Sequence, residues 1–346
     1  MDKPKYKNFL SAQIPKNLFE PASEEEKAQQ VTQRESVSFF KDSMRRLRKN
    51  KLAMVCLAII VLIALIAFIV PEFYPYSYSK QDVSAKNLKP FEYSKKEQAK
   101  IDKGEKVFPH IMGTDTSGRD YAIRVIYGTR ISLLVGVLAA AIVIVIGIIY
   151  GSISGYFGGK VDLIMMRIVD IIYSLPDVLI VILLSVYIKD IVMTSKSQLV
   201  TKLGAGMISI FIVFGLLYWV GMARQVRGQV LSIKEQEYVL ASRAIGAKPS
   251  RIIRKHMIPN CLSVIIITAA LQIPSAIFTE SFLSFLGLGV SVPMPSLGSL
   301  ASDARSVLQS YPYQLIFPAA SIFLIVLSFN LLGNGLRDAF DPKLRS

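Results

Sequence analysis

Three acidic residues lie inside long apolar stretches of the sequence, where a charge is costly. Asp170, Asp177 and Glu280 each interrupt a stretch that is long enough to cross a bilayer. An ionised group at the centre of a membrane costs about 2.5–3.5 kcal/mol on insertion scales, so each acid must face a partner or a wet cavity. Because Arg167 lies one helical turn before Asp170, we expect these two residues to pair. We predict that Asp177 and Glu280 face a solute path or a subunit contact.

Two kinds of chemistry fit acids in such places. In a proton-coupled transporter, Asp177 or Glu280 would relay a proton across the membrane. In a solute path they would supply polar contacts, and Gln272 and Asn330 are predicted to line the same path. The sequence has no evident internal repeat of the kind common in secondary transporters, which favours the solute path.

Two glycine-containing segments imitate nucleotide-binding motifs. Gly113 and Gly118 have the spacing of a phosphate-binding loop, but Arg119 and Asp120 stand where Lys and Ser or Thr are required. The Gly287-Leu288-Gly289 segment lacks the third glycine of a dinucleotide fingerprint and is expected to form a turn. We therefore predict no nucleotide site and no ATPase activity on this chain.

The cysteines and histidines do not form a recognisable metal-binding pattern. Cys56 lies in one apolar stretch and Cys261 begins another, and neither belongs to a CxxC pair. His110 and His256 are far apart and lack the neighbours of a zinc-binding helix. We predict no metal ligand and no cofactor bound by this chain.

The composition places the chain in a membrane. Of its 346 residues, 52% are hydrophobic and 19% are charged, against about 25% charged in a typical soluble domain. The mean hydropathy is +0.44. The net charge of +15 would suggest a nucleic-acid partner in a soluble protein. In a membrane protein the same excess indicates topology, because Lys and Arg accumulate in cytoplasmic segments.

The hydropathy pattern predicts an all-α protein with six transmembrane helices. The predicted spans are 52–70, 131–151, 164–188, 203–223, 262–286 and 315–332. The remaining parts are an N-terminal tail 1–51 that contains a basic amphipathic helix from Phe39 to Lys51, a long polar loop 71–130, a permease core 131–336 that includes a basic segment 224–260, and a tail 337–346. The amphipathic helix is expected to lie on the anionic lipid surface.

The distribution of basic residues predicts the orientation. The short connecting loops carry ten Lys and Arg on the side of the termini and four on the other side. Because short loops govern the positive-inside rule, both termini are expected in the cytoplasm. The long loop 71–130 is then expected outside the cell.

The most informative segment is Glu237–Asn260, called the elbow segment below. Tyr238, Ala241 and Ile245 share one face of a first predicted helix, and Gly246 is suited to end it with a positive φ. Pro249 is suited to begin a second helix, which Pro259 would end. A DNA-reading helix-turn-helix is the alternative, but spans on both sides leave it no room to enter a groove.

The elbow segment resembles the cytoplasmic loop of the membrane subunits of ABC importers. That family's loop carries a Glu-Ala-Ala triplet, a later glycine and an Ile-x-Leu-Pro sequence. Here Glu237 begins the triplet with Tyr238 and Val239 in place of the two alanines, Gly246 is the glycine and Pro259 the proline. The resemblance implies a coupling helix that enters a groove of an ATPase subunit. The residues implied for this contact are Glu237, Tyr238, Ala241, Ser242, Ala244, Gly246, Ala247 and Pro259.

Further motifs resemble the dipeptide, oligopeptide and nickel permease group, over about residues 39–346. These are Gly113-Thr114-Asp115, Gly118-Arg119-Asp120, Tyr127-Gly128, Arg130-Ile131-Ser132-Leu133, the stretches 155–159, 174–176 and 280–289, and the stretch 330–338. The position of the long loop after the first span is similar to the second, C-type permease of a pair.

The resemblance implies the type I importer permease fold and an ATP-driven importer of peptides. The implied partners are a homologous second permease, two ATP-binding subunits that hold ATP and magnesium, and an extracellular or periplasmic solute-binding protein. A nickel or glutathione importer of the same family is the alternative. A proton-coupled secondary transporter and a non-transporting membrane scaffold are more distant ones.

Overall fold

The computed structural model is helical throughout the residues it describes, which are 39–194, 200, 203–290 and 294–340. Within these ranges there is no strand, and one isolated bridge joins Thr114 and Asp120. The predicted all-α class is therefore confirmed. The tail 1–38 and residues 341–346, for which a cytoplasmic location is expected, lie outside the described residues.

The helices are numbered along the described chain. They are α1 Phe39–Lys49, α2 Lys51–Phe73, α3 Lys95–Ile101, α4 Tyr121–Phe157, α5 Gly159–Ser174, α6 Asp177–Thr194, α7 Ala205–Val213, α8 Trp219–Lys234, α9 Glu237–Ala244, α10 Pro249–Ile252, α11 Ile258–Asn260, α12 Leu262–Phe285, α13 Leu297–Ala304 and α14 Tyr313–Phe340. Two π-helical turns, Phe214–Tyr218 and Ile253–Met257, join α7 to α8 and α10 to α11.

Five of these helical stretches are long and apolar enough to cross a membrane within the described ranges. They are α2, α4, the continuous stretch Ala205–Lys234 formed by α7 and α8, α12 and α14. The pair α5 and α6 gives a sixth span if it is counted as one. The chain is thus a multi-pass membrane protein.

Two helices are longer than the hydropathy pattern predicts. The second predicted span, 131–151, lies inside α4, which begins at Tyr121 because the Asp120 carboxylate accepts a hydrogen bond from the Ile123 N–H (2.9 Å) and caps the helix. The last predicted span, 315–332, lies inside α14, which ends at Phe340. Polar turns of both helices extend past the apolar stretch that hydropathy detects.

The third predicted span, 164–188, is not one straight helix. It is divided between α5 and α6, which meet at an angle of 90°. Pro176 has no N–H to donate, and Leu175 before it is extended (φ −79°, ψ 143°), as steric clash with a following proline requires. The expectation of a continuous helix is therefore corrected to a broken one.

The most extensive helix contact joins α4 to α8. Gly147, Gly151 and Gly155, one helical turn apart on α4, face α8. A Cβ added to Gly147 would lie 2.5 Å from the Met222 side chain, and one added to Gly155 would lie 2.9 Å from Val230 Cβ. Small residues at this spacing let two membrane helices approach closely, so packing holds the pair together.

A buried network organises the long loop ahead of α4. The Asp115 carboxylate accepts hydrogen bonds from the Ser117 N–H (2.8 Å), from the backbone and side chain of Arg119, and from the Arg124 guanidinium. Asp115 and Arg124 are both buried, with side chains 5% and 4% exposed. The segment that imitates a phosphate-binding loop is thus a turn whose N–H groups bind the Asp115 carboxylate of the same segment.

A second buried site in the long loop surrounds His110. Its Nδ1 lies 2.7 Å from Asp120 Oδ2 and its Nε2 lies 3.1 Å from Glu97 Oε1. The ring of Tyr76 stacks on the imidazole at 4.6 Å between centroids. Burial lowers the pKa of His110, but the hydrogen bond to Asp120 and the charge of Glu97 outweigh it, and the pKa lies above its ordinary value.

Candidate functional site

The elbow segment contains two short helices around a glycine turn, as the sequence predicts. At the end of α9, Gly246 N–H donates to the Arg243 carbonyl (3.0 Å) and Ala247 N–H donates to the Ser242 carbonyl (3.1 Å). This pair of bonds is a Schellman motif, which requires a left-handed residue, and Gly246 has φ +82°. Pro249 then lies at the start of α10. The expectation that Pro259 ends this helix is corrected: the π-helical turn leads directly into α11, and Pro259 lies in the first turn of α11, where its missing N–H costs little.

Apolar anchors attach the elbow segment to the body of the protein. Val239, Ile252 and Met257 are fully buried and belong to the same hydrophobic cluster as Val230 and Ile233 of α8. Arg243 lies over the ring of Tyr156, near the end of α4, at 5.6 Å. One face of the elbow segment therefore packs against α4 and α8.

The opposite face of the elbow segment is exposed and apolar. Ile245 is 85% exposed, and Tyr238, which shares its face of the helix, is exposed as well. Grouped exposed apolar residues mark a protein contact surface. The other residues proposed for an ATPase contact are mainly exposed: Glu237, Ala241, Ala244, Gly246 and Pro259 are exposed, and Ser242 and Ala247 are half-buried. Their contact with an ATPase remains a prediction.

An ion pair fixes α5 to α8 next to the elbow segment. Arg227 donates from Nε and from a terminal nitrogen to the two oxygens of Asp162, each at 2.5 Å. The Ser154 hydroxyl donates to the same carboxylate at 2.5 Å. Such a two-pronged contact fixes orientation as well as position.

A second ion pair joins the same two helices nearer the bend. Arg224 donates to Asp170 (2.7 Å) and lies over the ring of Tyr173 at 4.2 Å. The expected pairing of Asp170 with Arg167 is therefore corrected: the partner comes from α8. The spacing of one helical turn was a local signal, whereas the observed partner is 54 residues away.

A cavity of about 460 Å³ lies beside the bend between α5 and α6. Asp177, the first residue of α6, is exposed at its wall. Tyr218, the last residue of the first π-helical turn, and Gly221 of α8 line it as well. Turns of π-helix inside α-helices frequently accompany functional sites. The remaining lining residues are Ile172, Tyr173, Leu175, Pro176, Ile180, Val181, Leu217 and Val220.

A second, more polar groove of about 690 Å³ lies between α8, α12 and α14. Gln272 lines it, together with Gln225 and Gln229 of α8 and Arg337 of α14. Asn260, Ser263, Thr268 and Ser275 add further polar groups. Amides and hydroxyls both donate and accept hydrogen bonds, so this wall suits a polar solute.

Glu280 does not lie at either opening in this structure. It is fully buried, and its carboxyl group accepts hydrogen bonds from the hydroxyls of Ser132 (2.8 Å) and Ser284 (2.7 Å). Ser132 in turn accepts a hydrogen bond from the Leu297 N–H (3.3 Å), so Glu280 joins α12 to α4 and α13. This contact is made within the chain, and its place on a solute path remains a prediction.

The four proposed path residues are thus distributed among different places. Asp177 lines the cavity at the bend, Gln272 lines the polar groove, Glu280 is enclosed by serines, and Asn330 is half-buried on α14 and outside the groove lining. Sequence reasoning missed Tyr218 and the glutamines of α8. The hydropathy pattern shows neither a π-helical turn nor which side of α8 faces the groove.

Helix α8 connects the cavity, the polar groove and the elbow segment. It begins at the π-helical turn beside the cavity, carries Arg224 and Arg227 to α5, presents Gln225 and Gln229 to the groove, and ends two residues before the elbow segment. The elbow segment is thus connected along the chain to the cavity and the groove through one helix.

The chain matches two protein-family models. Residues 144–346 match the binding-protein-dependent transport system inner membrane component, and residues 38–90 match the N-terminal TM domain of oligopeptide transport permease C.

Curated relatives are similar over almost the whole chain. The oligopeptide transport system permease protein OppC of Bacillus subtilis is 46% identical over 96% of this chain and 99% of its own length. The dipeptide transport system permease protein DppC of the same organism is 44% identical over 96% of this chain and 95% of its own length. OppC of Escherichia coli is 40% identical over 90% of this chain and 93% of its own length. A chain of an inward-facing MetNI methionine ABC transporter has a TM-score of 0.46 and 20% identity, covering 62% of this chain and 96% of that one.

Proposed function

The chain belongs to the family of binding-protein-dependent transport system inner membrane components, and from that premise we propose that it is a permease subunit of an ATP-driven importer of oligopeptides or dipeptides. Relatives that are 46% and 44% identical carry the names of oligopeptide and dipeptide permeases. A nickel or glutathione importer finds no such support among these names.

The observation that carries the proposal is the path of α8. One end of this helix supports an exposed apolar surface around Ile245, and the other end borders the cavity that contains Asp177. A subunit that only anchors others to the membrane would not need its outward contact surface joined to two internal openings. A transporter that is driven by a partner does need this connection.

The mechanism that follows is alternating access powered from outside the chain. Two ATP-binding subunits close on ATP and magnesium and move the elbow segment. Helix α8 passes this motion to α4 through the glycine contact and to α5 through the two ion pairs. The openings to either side of the membrane then change, and the peptide passes between this chain and a homologous second permease.

The remaining partners and the orientation belong to the same proposal. A solute-binding protein delivers the peptide on the side of the long loop, and both termini lie in the cytoplasm together with the elbow segment. The counts of Lys and Arg in the short loops support this orientation. ATP hydrolysis resides on the partner subunits, and this chain supplies the path and the transmission.

The test is a charge placed on the exposed surface of the elbow segment. In the complex purified from membranes, Ile245→Asp is expected to lower the recovery of ATPase subunits and to reduce peptide uptake by at least about tenfold, because a desolvated charge at a contact costs more than 1.4 kcal/mol. Mass identification of the co-purified chains and uptake into vesicles measure both effects.

The matched control is Val83→Asp, which places the same charge on an exposed apolar residue of the long loop. It is expected to leave ATPase recovery unchanged. A wild-type chain that purifies alone and moves solute without ATP would contradict the proposal and favour a proton-coupled transporter instead.

A further inference from the structure

Asp177 has no cationic partner among the residues that the structure describes. Its carboxylate accepts a hydrogen bond from the Val178 N–H (2.8 Å), which is part of its own helix. Arg224 borders the same region, but it is already engaged by Asp170 and by the ring of Tyr173. A carboxylate in a membrane-spanning region without a cation is costly, so it is suited to receive a positive charge from outside the chain.

The surroundings of Asp177 favour an organic cation over a metal ion. Calcium and magnesium require several oxygen ligands at short distance, whereas the cavity holds one carboxylate among mainly apolar residues. Its Tyr218 offers an aromatic ring of the kind that attracts ammonium groups. The volume of about 460 Å³ far exceeds the roughly 30 Å³ that a water occupies in the liquid, so carbon-bearing groups fit beside the charge.

Two backbone features keep the cavity open. The chain turns by 90° at Pro176, so α6 leaves the direction of α5 and exposes the first turn that carries Asp177. Gly221 also lines the cavity, and no atom lies within 4 Å of the place where a side chain there would begin. The absence of a side chain at Gly221 therefore leaves this part of the cavity open.

We propose that the cavity at the α5–α6 bend binds the ammonium group of the transported molecule, with Asp177 as its counter-ion. This inference rests on the proposed function, because a peptide carries an α-ammonium group with a pKa of about 7.7–8.0 that is mostly protonated at neutral pH. The first side chain of the peptide then lies against Ile180, Val181 and Leu217. A peptide without a free amino group loses this contact.

The presence of an acid at Asp177 also has a purely structural explanation, which the test must separate. An acid in the first turn of a helix is stabilised by the helix dipole. The substitution Asp177→Asn keeps a side-chain acceptor for the Val178 N–H but removes the charge. Helix formation is then largely preserved, while an ammonium ligand loses its counter-ion.

The experiment compares two forms of one peptide that contains no Lys, Arg or His. One form has a free amino terminus and the other is N-acetylated, and both carry a fluorophore at the carboxyl terminus. Equilibrium binding is measured on the membrane complex of permeases and ATPases without the solute-binding protein, so that the binding protein does not influence the result. Asp177→Asn is expected to weaken binding of the free-amine peptide about tenfold, the effect of losing one charge-assisted hydrogen bond, and to leave the acetylated peptide within about twofold.

Two further variants bracket this result. Asp177→Glu keeps the charge and is expected to retain the preference for the free amine. Asp190→Asn removes an exposed acid from the far end of the same helix, outside the cavity, and is expected to change neither peptide.

Several outcomes would overturn the inference. They are equal binding of both peptides by the wild-type complex, an equal loss for both peptides in Asp177→Asn, and loss of the second permease on purification of Asp177→Asn, which would assign the carboxylate to a partner's cation. If the complete wild-type importer moves no peptide at all, the proposed function fails. If it imports peptide while Asp177→Asn affects both forms equally, only this inference fails.

Discussion

The two ends of α4 hold their charged residues in different ways. At the beginning of the helix, in the long loop, the buried Asp115 carboxylate and Arg124 guanidinium pair with each other inside the chain. Near its end, the pairs of α8 with Asp162 and Asp170 are partly exposed, and the neighbouring elbow segment presents bare apolar residues.

This difference indicates that the charged residues at the first end are paired within the chain, whereas the second end presents a surface for another subunit. A buried ion pair whose members depend on each other makes a region rigid, because removal of either member leaves a charge stranded. Exposed pairs exchange with water at little cost and permit movement. The long-loop end is therefore a fixed cap, and the elbow end is the part that moves against other subunits.

The largest expected effect is the removal of a charge from the cap. Asp115→Asn leaves the buried Arg124 without its main counter-ion and is expected to destabilise the protein by about 3–5 kcal/mol, measured by thermal unfolding in detergent. Asp102→Asn, in an exposed position of the same loop, is expected to stay within about 0.5 kcal/mol. Similar unfolding temperatures for the two variants would show that the cap is not rigid.

The next largest effect concerns the less exposed of the two ion pairs at the elbow end, between Asp162 and Arg227. Asp162→Asn loses the two-pronged contact with Arg227, whose side chain is one-third exposed, so the expected cost is about 1–2 kcal/mol. Ser154→Ala is the matched control, because it keeps the ion pair and removes only the hydroxyl contact. A cost equal to that of Asp115→Asn would remove the contrast between the two ends.

The cap is also expected to respond to pH through His110. Because Asp120 and Glu97 raise its folded-state pKa above the unfolded value, protonated His110 stabilises the fold fully below about pH 6.5. That contribution is lost as the pH rises through the folded-state pKa. Protease cleavage of the long loop is therefore expected to accelerate between mildly acidic and alkaline pH.

Two variants identify the group responsible for this pH dependence. His110→Gln is expected to remove most of the slope, whereas His256→Gln, in the elbow segment, is expected to keep it. Tyr76 stacks on the imidazole, but burial raises the pKa of Tyr76 to about 12, so it does not contribute in this range. An unchanged slope in His110→Gln would assign the effect to another group.

The smallest expected effect concerns the more exposed pair. Asp170→Asn is expected to cost less than about 1 kcal/mol, because the side chains of Asp170 and Arg224 are 55% and 37% exposed. Asp190→Asn on α6 provides the baseline in the same unfolding assay, because Asp190 forms no ion pair with any residue that the structure describes. A cost well above this limit would mean that the pair is buried in the assembled protein.

Local chemistry made much of the elbow segment predictable. Gly246 and Pro249 are residues whose backbone preferences match one position each, so the helix end and the following helix start could be placed from the sequence. The overall all-α class followed in the same way from long apolar stretches.

Features that depend on distant residues could not be predicted. Asp170 had an arginine one turn away, yet it pairs with Arg224 from another helix. Glu280 is satisfied by Ser132, which is 148 residues away. Pro176 was visible in the sequence, but a proline inside a membrane helix produces anything from a mild kink to a full break, and packing decides which.

The glycine contact between α4 and α8 has a mechanical consequence. Since Gly147, Gly151 and Gly155 of α4 lie directly against α8, at most the α8 side chains separate the two backbones there, and we expect the two helices to move together. The 16 residues of α8 extend about 24 Å at roughly 1.5 Å each. A force applied at the elbow end of α8 is therefore expected to reach its other end, beside the cavity. ATP hydrolysis on a partner subunit can in this way change the opening within the membrane.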